Sequence, residues 1–132
     1  MSASNAITIT VGLNYKNPSS TGALGSELVP TKQVQIDQQT AAPAVAGGTQ
    51  TIGFAAHEAL VVTDLTTLGV GYIENMDPTN FVQLGVDVGA TFYPLIDIDA
   101  GEAYPMRFTP GVTIYAKADT GNVIIKRVIL DD

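Results

Sequence analysis

A period of two runs through this chain and a helical period of 3.6 runs nowhere, which excludes most folds before any single residue is weighed. Ile7, Ile9, Val11, Leu13 and Tyr15 alternate strictly with Thr8, Thr10, Gly12 and Asn14, the mark of a strand with one buried face. Alternation resumes through Lys32, Val34 and Ile36, over 49–56, and over 58–63, where Leu60 and Val62 share a face. It returns over 91–98, where Pro94 signals an edge strand or a bulge. Tyr104, Met106 and Phe108 line one face of a further strand, and 112–118 and 123–130 flank the turn Asp119-Thr120-Gly121-Asn122.

The stretch 68–86 reads as a central hairpin. Val70, Tyr72 and Glu74 share one face of its first strand, and Gly71, Ile73 and Asn75 share the other. Asp77-Pro78-Thr79-Asn80 is the turn, with proline presetting φ and Asp and Asn side chains suited to bond nearby backbone. Val82, Leu84 and Val86 share one face of the return strand. A hairpin alone is marginal in water, so the remaining strands are expected to gather around this one. The expected fold is one all-β domain over 1–132, an antiparallel β-sandwich of jelly-roll or Greek-key type with about eight or nine strands. Two connections rich in small residues, 16–30 and 39–48, are too long for hairpin turns and are expected to cross between sheets. Together with the N-terminal segment they are the expected interaction arms.

Composition narrows the partners. Charged residues are 14% of the chain, against about 25% in ordinary soluble domains, which suits a surface largely covered by partner subunits. Thirteen acids against six bases give a net charge of −7 and argue against nucleic acid, which demands clustered Lys and Arg. No apolar run reaches the ~18–20 residues of a membrane-spanning helix, so no membrane is expected. The first ten residues lack the basic and apolar regions of a signal peptide. Without cysteine there is no disulfide framework and no thiol nucleophile.

Candidate chemistry is sparse. His57 is the single histidine, no G-x-S-x-G elbow accompanies it, and it is expected at a strand end or interface. Asp97, Asp99 and Glu102 form the densest acidic group, weak candidates for a hard cation but without the spacing of a calcium loop. A metal-dependent hydrolase would need these three with His57, and a sugar-binding module would want Trp, of which there is none. No catalytic residue, cofactor or metal is assigned. Arg107, Lys117, Lys126 and Arg127 interrupt apolar strands and are the interface candidates, able to pair with the acidic excess across a subunit boundary.

The run EALVVTDLTTLGVGYIENMDPTNFVQLGV, followed by FYPLIDIDAGEAYPMRFTPGVTIYAKADTGNVIIKRVIL, resembles small virion structural proteins of tailed bacteriophages. Glu58-Ala59-Leu60, Asp64-Leu65-Thr66-Thr67, Tyr72 with Asn75 and Asp77, and Thr79-Asn80-Phe81-Val82 leading to Gly85 carry the resemblance. So do Ala100-Gly101-Glu102, Arg107, Pro110 and Tyr115-Ala116-Lys117-Ala118-Asp119-Thr120. These are strand and turn motifs, specific to a fold and lineage more than to a chemistry. The resemblance implies a non-enzymatic virion component, made in the host cytoplasm, with other virion proteins as partners. A capsid decoration (cement) protein is the favoured form, a homo-oligomer, with a trimer favoured, bound to the major capsid protein. A tail, neck or fibre-attachment component is the alternative, and a receptor or glycan-binding module a more distant one.

Overall fold

The alternating run VIIKRVIL forms the strand on which one whole sheet is assembled. The structure, a computed structural model, describes residues 5–12, 31–38, 45–63 and 65–131. Ten strands follow in chain order: β1 (Asn5–Gly12), β2 (Thr31–Gln38), β3 (Val45–Ile52), β4 (Glu58–Ala59), β5 (Leu68–Asn75), β6 (Val82–Val88), β7 (Thr91–Ile98), β8 (Ala103–Arg107), β9 (Tyr115–Ala118) and β10 (Val123–Asp131). Among the described residues there is no helix.

Two compact units divide the chain, Met1–Ala42 and Pro43–Asp132. In the first, β1 and β2 make a two-stranded antiparallel sheet with Ile7 opposite Ile36 and Ile9 opposite Val34. In the second, eight strands form two four-stranded antiparallel sheets, ordered β3-β10-β5-β8 and β4-β9-β6-β7. This is the expected β-sandwich, built from Pro43–Asp132 rather than from the whole chain. Its pairing is nested, β3 with β10, β4 with β9, β5 with β8 and β6 with β7, as in one long ribbon folded over. Pairing of β10 with β5 and of β6 with β9 completes the sheets.

Alternation explains the core. Val123, Ile125 and Ile129 of β10 face inward with Ile52 and Ile73, and meet Val82, Leu84, Ile98, Ala116 and Ala118 from the other sheet in a single cluster. Burying each of the largest side chains contributes on the order of 2–3 kcal/mol. The tip of the ribbon is a tight turn in which Gly89 and Ala90 have φ of 60° and 66°, the left-handed pair that a type I′ hairpin requires. The β6–β7 register shifts between Leu84 and Gly85, a bulge at the edge strand that Pro94 announces.

Several expectations are corrected. The stretch 68–86 is not a hairpin, because β5 and β6 lie in different sheets. β5 is already flanked by β10 and β8, and the segment between β5 and β6 carries the chain across the sandwich. Asn75 fixes that crossing: its Nδ2 donates to Asn80 O (2.8 Å) and to Ile98 O (3.0 Å) of the opposite sheet, and its Oδ1 accepts from Asp77 N (2.9 Å). The expected Asp turn is present, with Asp77 Oδ1 accepting from the amides of Thr79 and Asn80 at 2.8 and 2.7 Å.

The connection at 39–48 is shorter than expected, since its last four residues are the start of β3, held by full register with β10. Residues 39–44 lie outside the described residues. The connection at 16–30 also lies outside them, as do Leu13 and Tyr15, but it joins β1 to its own neighbour β2 rather than crossing between the sandwich sheets. The strands expected over 49–56, 58–63 and 112–118 are displaced or shortened to β3, β4 and β9.

Candidate interaction surfaces

Each sheet contributes one edge strand to either long side of the sandwich, and the two sides are finished differently. Along the β3–β4 side, Gln50 faces the gap between the sheets. Its Nε2 donates to Ala59 O at 3.1 Å and its Oε1 accepts from Val61 N at 2.9 Å, so one side chain pairs with backbone as a strand residue would. Arg127 Nε donates to Val61 O at 2.8 Å from the neighbouring strand. Glu58 Oε1 and Arg127 Nη1 are buried without a hydrogen-bond partner, so burial there is not fully compensated.

The β7–β8 side is open. A groove of about 330 Å³ runs between the two edge strands, walled by Leu84, Val86, Leu95, Met106, Phe108 and Ile114, with Arg107 also in its wall. Leu95, the extra residue of the bulge, is 70% exposed. Gly85 makes the bulge fit, because a Cβ there would stand 2.0 Å from Tyr93 O.

The outer face of the β4-β9-β6-β7 sheet carries His57. The imidazole stacks on Phe92 with centroids 5.3 Å apart, meets Tyr115 edge-on at 5.5 Å, and places Nε2 2.5 Å from Asp87 Oδ2. Asp87 Oδ1 accepts from Ala90 N at 3.0 Å, so one carboxylate ties the segment before β4 to the ribbon tip. The His57 hydrogen bond, helped by the Ala90 amide and opposed by desolvation, holds the Asp87 carboxyl below its ordinary value. His57 therefore sits at the start of β4, as the sequence suggests, where its packing fastens a loop.

The outer face of the β3-β10-β5-β8 sheet is a grid fixed by register. Thr49, Lys126, Glu74 and Ala103 form one row, and Gly47, Val128, Tyr72 and Pro105 the next. Ile124 and Val128 are 49% and 38% exposed. Tyr72 donates its hydroxyl to Glu74 Oε2 at 2.8 Å; that bond, with desolvation and the carboxylate's charge, raises the Tyr72 pKa.

The structure does not bring Asp97, Asp99 and Glu102 into a metal site, and no group of three or more metal-ligating side chains occurs among the described residues. Ile98, buried between the first two, points into the core. Asp97 accepts from Gln83 Nε2 at 2.9 Å, while Glu102 Oε2 caps Asp99 N at 3.0 Å. Of the four basic interface candidates, Lys126 and Arg107 are exposed and Lys117 is half-buried opposite Gln83. Arg127 is corrected: it is 7% exposed and in phase with Val123, Ile125 and Ile129, so it faces the core. Sequence reasoning missed Gln50, which carries no local signal. Asn75 did carry one, since an Asn in the inward phase of a strand must find buried partners. No family model, curated protein or solved structure matches the chain.

Proposed function

We propose that this chain is a structural component of a tailed-bacteriophage virion that works through its surfaces, and within that class a capsid decoration protein. The carrying observation is a sandwich that leaves large apolar side chains outside, Leu95, Ile124, Val45 and Val128 among them. Ile124 and Val128 are exposed on one face of β10, and apolar surface exposed on one sheet face is a feature of interaction sites. The low charge of the chain and the resemblance over residues 58–130 point the same way. The nested strand pairing supports reading the sandwich as of jelly-roll type, in which one antiparallel ribbon wraps into two sheets.

On this reading the sandwich contacts neighbouring copies, in a trimer, and the major capsid protein, and stabilises the shell by binding its assembled form. The reading is non-enzymatic: replacing His57, Asp97, Asp99 and Glu102 together should leave particle assembly intact. Copy number per particle is the direct test. Hundreds of copies, with heat-labile capsids when the gene is deleted, are expected. A ring of about three to twelve copies, with intact but tailless or non-adsorbing particles on deletion, would replace it with the tail or neck reading.

A further inference from the structure

The outer face of the β3-β10-β5-β8 sheet is complementary to itself, and we propose that it packs against the same face of a second copy. The charges at its centre are one cation and one anion on adjacent strands, Lys126 of β10 directly opposite Glu74 of β5. Across the described residues no ion pair joins them, and the Glu74 carboxylate instead accepts from Tyr72. The Lys126 ammonium thus stands on an exposed face between Ile124 and Val128.

A two-fold axis along the strands, between β10 and β5, lays β10 of one copy over β5 of the other. That operation sets Lys126 against the second copy's Glu74 and repeats the pair by symmetry. The same operation matches the rest of the grid. Val128 falls on Tyr72, and Ile124 falls on Met76, whose amide already bonds Ile124 O at 2.9 Å within one copy. Thr49 falls on Ala103 and Gly47 on Pro105, with no long side chain in either pair, so two sheets can approach to the usual ~10 Å.

Four strands and about six residues of length cover roughly 400 Å² per copy. This is below the size of a stable specific interface and belongs to weak, transient contacts, so the pair forms at high local concentration. Such a contact joins copies in pairs and adds to any threefold grouping. It goes beyond the virion reading and does not rest on it.

The test is sedimentation equilibrium of the full chain from about 10 µM to about 1 mM, at low and high salt. The wild type should dimerise, less so in high salt. K126E and E74K should each weaken association about tenfold or more, because each puts like charges face to face. An equimolar mixture of K126E and E74K should recover it as a heterodimer, since the central pair is then all acid on one face and all base on the other. Val128→Asp should abolish it, and Leu95→Asp, on the open side, should not; unfolding midpoints of all variants check that each is folded. A wild type monomeric at every concentration overturns the proposal. So does a dimer indifferent to both charge reversals, a mixture that does not recover association, or a dimer lost in Leu95→Asp alone.

Discussion

The two long sides of the sandwich start from the same problem and end differently. Each is a pair of edge strands with unpaired backbone, a standing invitation to another chain. On the β3–β4 side the protein answers with its own side chains, Gln50 on Ala59 and Val61 and Arg127 on Val61 again. On the β7–β8 side it leaves a groove walled by Leu95, Met106 and Phe108. Both sides belong to one fold, so folding does not require the open one to be open. The difference separates a side that the chain closes with its own side chains from one that it leaves open.

The hardest way to break the contrast is at the bulge. Gly85→Ala drives a Cβ into Tyr93 O and should peel β7 from β6, a loss of about 3 kcal/mol or more in urea unfolding. Hydrogen exchange should localise the damage to β7 if the open side depends on that one close approach. Next in size is Gln50→Ala, which removes two hydrogen bonds and leaves edge backbone exposed. Its expected loss is about 1–2 kcal/mol, with faster exchange over 58–63. The matching change on the open side, Leu95→Ser, should stay within about 0.5 kcal/mol, because that side chain supports no fold contact of comparable burial. Equal losses at Gln50 and Leu95 would erase the distinction between the sides.

A smaller gain is expected at the ribbon tip. Ala90 at φ 66° carries the strain of a left-handed L-residue, and Ala90→Gly should raise stability by about 0.5–1 kcal/mol. The last effect is one of pH. Because the folded Asp87 carboxyl titrates below its ordinary 3.8, its stabilisation is full above that value and is lost as pH falls through the folded pKa. Asp87→Asn should therefore flatten the acid limb of the stability curve below about pH 4, while leaving the Gln50 side unaffected in hydrogen exchange.

Strands were legible through alternation, which over β10 records burial residue by residue and over the mostly exposed β7 does not. Thr91–Ile98, with Pro94 marking an edge and a bulge, and the run from Val123 onward appear in the structure nearly as spaced in the sequence. Sheet membership was not legible. Alternation in 68–86 is the same whether two strands pair side by side or face each other across a core, and the pairing of β5 with β10 and β8, with the long-range bonds of Asn75, decides between them. Arg127 misled for the opposite reason: its charge suggested an outward side chain, while its phase with Ile125 and Ile129 placed it inside. Gln50 was invisible because its partners are backbone atoms, which leave no trace in residue type.

The nested ribbon has a consequence for how the molecule is born. β10, the last sandwich strand in chain order, is also the strand that joins β3 to β5. As the chain leaves the ribosome, β3 waits without a partner while everything up to β9 is made, and β5 waits with one edge bare. That sheet is thus completed only after synthesis has passed Val123, and a chain halted earlier keeps exposed strand edges that favour aggregation over partial folding.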